Sequence, residues 1–176
     1  MERLIIYGSQ YGTTKRYAQR FSEMTGIPSL SYEAANDLTD CRLLVYFGGL
    51  YAGGLKGFRH IVKLLPENMK LILVTVGLAD VNDQKNINNI RNSLKTQVPE
   101  TLLSNAQIFH LRGGIDYEKL SFKHRTMMTL LYHKVKNLPE EKKTAEDRAM
   151  IETFNSKVDF VDYHSLDQII EAIRQI

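Results

Sequence analysis

Apolar residues recur along this chain in two alternating rhythms, short near-continuous runs and longer stretches with apolar positions three and four apart. The runs cover residues 3–7, 29–32, 42–47, 70–76 and 106–111, and the last three are almost wholly apolar. A strand covered on both faces reads this way, whereas a half-exposed strand alternates. Helical stretches lie between and after them at 13–24, 34–40, 56–65, 84–97 and 165–176. The first is closed by Gly26 and Pro28, the third and fourth by Pro66 and Pro99. In the last, Leu166, Ile169, Ile170 and Ile173 share one helix face. Strands alternating with helices predict an α/β fold, a doubly wound parallel sheet of five strands in the order 2-1-3-4-5. Ligands of such sheets sit beyond the carboxyl ends of the strands, at the switch between strands 1 and 3.

The loops at those ends carry the candidate chemistry. Strand 1 runs into Gly8-Ser9-Gln10-Tyr11-Gly12-Thr13-Thr14 and then into a helix. Backbone N–H groups at the positive end of a helix dipole, with hydroxyls around them, make a phosphate site. The triphosphate loop is excluded, because the turn has no Lys before its Thr residues, and the dinucleotide pattern G-x-G-x-x-G is absent. A terminal monoester phosphate remains; the plainer alternative is a strand–turn–helix corner with Thr13 as N-cap. Strand 3 leads into residues 48–57, five of them Gly, including Gly49, Gly53 and Gly54. Backbone there can approach a planar ring closely, and Tyr51 can stack on it. Strand 4 leads into Gly77-Leu78-Ala79-Asp80, and strand 5 into Arg112-Gly113-Gly114. Taken singly, each glycine pair is a turn and a lone Tyr is core; placed together at strand ends, they frame a flat ligand.

These residues resemble the flavodoxin family. Ser9-Gln10-Tyr11-Gly12-Thr13-Thr14 is similar to the T/S-x-T-G-x-T loop that wraps the phosphate of flavin mononucleotide (FMN), with Tyr11 in place of the usual central Thr. The resemblance implies that Gly49, Leu50, Tyr51, Ala52, Gly53 and Gly54 flank one side of the isoalloxazine and Gly77, Leu78, Ala79 and Asp80 the other. The strand 4 loop has no aromatic residue, so Tyr51 is the stacking candidate. After strand 5 come Arg112-Gly113-Gly114-Ile115-Asp116-Tyr117, a basic segment from Phe122 through Lys136, the stretch Glu140–Arg148, and Val158-Asp159-Phe160-Val161-Asp162 leading into the last helix. These segments resemble the branch containing menaquinone-dependent protoporphyrinogen oxidase, with a helical insertion over residues 116–157 of a single 1–176 domain. That branch implies an FMN-dependent oxidoreductase passing electrons between the flavin and a small substrate or quinone. The alternative is a non-enzymatic carrier docking on another redox protein; a third reading is a binding module of this fold without its flavin. Arg112 and Tyr117 follow strand 5 near the expected flavin edge and are the candidates for further roles.

Composition narrows this picture. With 43% hydrophobic and 24% charged residues over 176 positions, the chain reads as one ordinary globular domain. A lone cysteine, Cys41, excludes an internal disulfide framework and points to a reducing, cytoplasmic setting. No signal-peptide pattern opens the chain, and the apolar stretch at 71–79 is too short to span a bilayer. The histidines show no metal-ligand spacing, so no metal is expected. The net charge of +3 comes from Lys119, Lys123, Arg125, Lys134 and Lys136; without these five the chain would be acidic. A pI near 8.9 suits an acidic partner, an anionic substrate or an anionic lipid surface better than the basic reductases that acidic carriers use. In helical projection Met127, Met128, Leu131, Tyr132, Val135 and Leu138 form an apolar stripe with basic edges. Peripheral membrane contact through 119–138 is one reading of it, and a helix docked on its own sheet is the other. No nucleic-acid recognition pattern is present, and no nucleic-acid partner is expected.

Overall fold

Two apolar faces on every central strand decide the architecture. In a computed structural model, which describes residues 2–51, 54–66 and 68–176, five parallel strands build the main sheet. They are β1 (Arg3–Gly8), β2 (Ser29–Ser31), β3 (Leu43–Tyr51), β5 (Lys70–Gly77) and β6 (Gln107–Arg112), in the order β2-β1-β3-β5-β6. A two-residue strand, β4 (Gly54–Leu55), folds back antiparallel on the end of β3. This is the predicted doubly wound order, with β5 and β6 as the fourth and fifth parallel strands. Side chains on a strand point alternately to opposite faces, so an unbroken apolar run feeds two cores at once.

On one face Leu4, Ile6, Leu44, Tyr46, Leu71 and Leu73 pack under α2 (Phe58–Val62), α3 (Gln84–Lys95) and α4 (Glu100–Asn105). On the other, Ile5, Val45, Phe47, Ile72 and Val74 meet α1 (Thr13–Thr25) and α7 (Asp167–Arg174), which present Tyr17, Phe21, Ile169 and Ile173. Burying a side chain of this size contributes about 1.5–3 kcal/mol, so these two layers dominate the stability of the sheet.

The insertion is closed at its base by a small antiparallel ribbon. β7 (Gly114–Asp116) pairs with β8 (Lys157–Asp159), Ile115 opposite Val158. Between them lie α5 (Phe122–Lys136) and α6 (Ala145–Glu152). They form a third core from Ile115, Tyr117, Met128, Val135 and Met150, against which Tyr11 and Leu78 of the sheet loops also pack. The apolar stripe of α5 is therefore turned inward: Met128 and Val135 are buried, and Leu131 and Leu138 pack on the same core. Phe122 and Leu130, which lie off the stripe, are 87% and 67% exposed. No described helix is long and apolar enough to cross a membrane.

Local expectations fail where short elements compete with turns. The helix expected at 34–40 is only a 3-10 turn at Tyr32–Ala34. Beyond it Asp37 Oδ1 accepts from the Thr39 N–H at 2.9 Å and the Thr39 hydroxyl at 2.6 Å, a local turn that competes with helix. The helix expected at 56–65 shortens to α2, and α4, one turn and a half after Pro99, was not anticipated. The first helix is capped by Gly12 rather than Thr13.

Candidate cofactor site

The loop after β1 is shaped around Gly12, whose φ of 91° is readily reached only without a Cβ. Its N–H donates to Ser9 Oγ at 3.1 Å, and its carbonyl accepts the first helical bond, from the Arg16 N–H. The N–H groups of Thr13, Thr14 and Lys15 thus begin α1 with no carbonyl one turn behind them, at the positive end of the helix. Thr13 Oγ1 donates to Gly114 O at 2.9 Å, tying this turn to the ribbon of the insertion. Thr14 is buried beneath it. These are the donors and hydroxyls a phosphate monoester needs.

Gln10 and Tyr11 face the insertion. Gln10 Nε2 donates to His124 Nε2 on α5 at 2.7 Å, which leaves His124 Nδ1–H to donate to Ser121 Oγ at 3.0 Å. The Tyr11 ring stands edge-on to Tyr51 (6.2 Å between centroids) and to His124 (6.0 Å). Burial, with Tyr51 and Tyr117 nearby, holds the Tyr11 hydroxyl well above its ordinary pKa; burial alone pushes Tyr117 up to about 12. Among the described residues, Tyr11 Oη, Tyr117 Oη and His110 Nε2 are buried side-chain polar atoms without a hydrogen-bond partner. Two of the three sit beside this loop, as expected of groups that await a polar ligand.

Gly49 lies in register with Val76, and Leu50 and Tyr51 pair with Leu55 and Gly54 of β4. Tyr51 Oη donates to Met127 Sδ at 2.8 Å, and Lys56 Nζ lies 5.7 Å from its ring centroid. Ala52 and Gly53 lie outside the described residues. Beside Tyr51 opens a cleft of about 300 Å³ lined by Leu55, Lys56, Arg59 and Gln97 among others. A larger hollow, about 400 Å³, is lined by Val62, Met69, Pro99 and Leu102 near the amino ends of the strands, away from these loops.

The loop after β5 meets the insertion through a residue that pattern reading passed over. Glu146 on α6 accepts from the N–H groups of Leu78 (3.2 Å) and Ala79 (3.1 Å). Burial raises its pKa, opposed by those two hydrogen bonds and by Arg112. Arg112 Nε donates to Leu78 O at 2.9 Å, and its guanidinium lies 3.7 Å above the Phe160 ring, so Arg112 braces this loop from β6. Asp80 is bonded within its own loop and to α3: its carboxylate accepts from the Asn82 N–H at 2.9 Å and its carbonyl from Asn86 at 3.0 Å. The three loops therefore converge, each tied to the insertion or to its base. Glu146, His124 and Met127 were missed because the contacts that give them roles span 67 or more positions. The one local signal was the Thr144…Asp147 spacing of a helix start. Among the described residues no group of three His, Cys, Asp or Glu is placed to hold a metal.

The family profile described as a flavodoxin domain matches residues 4–144. No curated protein matches the chain. Similar solved structures include a flavoprotein in complex with FMN from Lactobacillus acidophilus, 10% identical, covering 63% of this chain and 91% of that one with a TM-score of 0.40. They also include a cysteine-to-serine mutant of flavodoxin from Pseudomonas aeruginosa, 17% identical, covering 64% and 84% with a TM-score of 0.42.

Proposed function

Because the chain belongs to the flavodoxin domain family, we propose that it is an FMN-dependent oxidoreductase whose flavin exchanges electrons with a small substrate or a quinone. FMN is its cofactor. Held in a flavodoxin domain, this group supplies one- and two-electron transfer, and the protein contributes binding, orientation and electrostatics. In this reading the N–H groups of Thr13, Thr14 and Lys15, with the hydroxyls of Ser9 and Thr14, hold the phosphate. Gly49 to Tyr51 and Gly77 to Ala79 hold the ring. Tyr11 and Tyr117 offer hydroxyls that have no hydrogen-bond partner among the described residues.

One observation favours an enzyme over a carrier. The insertion touches all three loops, through Gln10–His124, Tyr51–Met127 and the packing of Leu78 on its core. A carrier exposes its flavin to a protein partner, whereas a walled site suits a small molecule that diffuses in. Protoporphyrinogen oxidation with a quinone acceptor is the specific reaction proposed, in keeping with the net charge of +3 and an anionic substrate. The test is turnover of protoporphyrinogen IX by the FMN-loaded chain with a menaquinone analogue. Turnover supports the enzyme; its absence together with rapid reduction by a ferredoxin-type reductase supports the carrier. In the same reading the protein is cytoplasmic, and contact of 119–138 with an anionic membrane would use exposed Phe122 and Leu130 beside Lys123 and Lys134.

A further inference from the structure

The adjacent N–H groups of Leu78 and Ala79 form a two-pronged receptor at the mouth of the β5 loop, and the chain fills it itself. Glu146 places one carboxylate oxygen on each prong, at 3.2 Å and 3.1 Å. The surroundings are arranged around this contact. A reciprocal capping box starts α6: Thr144 N–H donates to Asp147 Oδ2 at 2.8 Å, and the Asp147 N–H donates to Thr144 Oγ1 at 3.1 Å. That fixes the first turn of α6 and with it the direction of Glu146. Gly77 leaves the necessary room, since a Cβ there would fall inside contact distance of Glu146 Oε1 and 2.8 Å from Leu50 Cδ1. Arg112 braces the same loop by bonding Leu78 O.

A backbone N–H has one proton to give in a well-formed hydrogen bond, so a receptor filled by a carboxylate is closed to a second acceptor. The edge of a flavin's pyrimidine ring carries two carbonyl oxygens and a ring nitrogen without hydrogen, acceptors of the kind these prongs suit. We infer that Glu146 is an intramolecular occupant of the ring-edge receptor, and that seating the flavin there requires the α6 carboxylate to leave. This rests on the reading above that the β5 loop flanks the FMN ring. The insertion then acts as a latched cover, and cofactor loading and α6 docking compete for the same two donors. If the latched form holds about nine molecules in ten, apparent affinity for FMN falls about ten-fold.

The experiment is a titration of the flavin-free chain with FMN, followed by flavin fluorescence, for the wild type, E146Q and E146A at one pH and ionic strength. Amide exchange across residues 144–154 is read with and without FMN. E146A is expected to bind about ten-fold tighter and E146Q, which keeps one acceptor oxygen, to fall between. FMN is expected to speed exchange in α6 of the wild type. Wild-type binding with equal or weaker affinity in E146A, and unchanged exchange in α6, overturns the inference and leaves the cofactor reading standing. Should E146A fail to fold by circular dichroism, E146Q decides in the same way, wild-type affinity overturning the inference. Failure of every folded variant to bind FMN overturns both the inference and the cofactor reading.

Discussion

Tyr17 offers a direct test of how the site is braced. Its ring is fully buried on α1, and its hydroxyl joins two segments far apart in the chain. It donates to Arg112 O at 2.8 Å and accepts from the Asp162 N–H at 2.9 Å. The first bond fixes the end of β6, from which Arg112 reaches the β5 loop; the second fixes the turn leading to α7. Y17F keeps the ring and removes both bonds, leaving a carbonyl and an N–H unpaired in partly buried surroundings. Each loss costs about 1 kcal/mol, so the variant should lose about 2 kcal/mol. For a chain of this length that lowers the melting temperature by roughly 4–8 °C. Urea unfolding is the assay: the midpoint should fall with an unchanged slope, because the surface exposed on unfolding is the same. A loss below about 0.5 kcal/mol would refute the bracing role and return Tyr17 to simple ring packing.

Three further outcomes follow from single features. Y11F should leave the flavin-free chain as stable or about 1 kcal/mol more so, because the Tyr11 hydroxyl is buried without a partner among the described residues, yet weaken FMN binding; melting and FMN titration of one preparation read both effects, and unchanged FMN affinity would remove Tyr11 from the site. His110, with Nδ1 2.8 Å from Thr75 Oγ1, has its pKa lowered to about 4 by burial, with Arg91 adding to the shift. The unfolded chain, with an ordinary histidine near 6.5, binds more protons between those values, so stability is full above about pH 6.5 and declines as pH falls toward 4. The loss, discounted for partial exposure, is about 1–2 kcal/mol, and urea titrations of H110Q across that window should show a shallower decline than wild type. Flotation with anionic liposomes should retain the chain and lose F122S/L130S; equal retention of that variant would exclude membrane contact through the outer face of α5.

The doubly wound sheet was legible because its signal is local and redundant. Leu43 to Phe47 and Leu71 to Val74 read as strands covered on both faces, and both faces are in fact covered. The strand-end loops were legible for the same reason, since Gly12 and the glycines after β3 mark where backbone must turn or come close. Four short elements were not: β4, β7, β8 and α4 are too short for periodicity to exceed chance. The stretch at 34–40 looked helical through Ala34 and Ala35, but Asp37 offered the Thr39 N–H a nearer partner. The stripe on α5 was visible, but not its destination, because the core it joins is assembled from Ile115, Tyr117 and Met150 on other elements. Glu146 left no trace of its role, since a carboxylate on a helix surface and one holding two distant N–H groups read alike until the chain is folded.

The measurement that bears most directly on the cofactor site compares FMN with riboflavin on the same flavin-free chain. The two ligands share the ring and differ by the phosphate assigned to the Ser9–Thr14 loop. One or two charge-assisted hydrogen bonds from the start of α1 contribute about 3 kcal/mol, so FMN should bind roughly 100-fold more tightly. Replacing Gly12, at φ 91°, by Val should erase most of that difference while riboflavin affinity stays nearly constant. Equal affinity for the two ligands, or no saturable binding of FMN at all, would contradict the account.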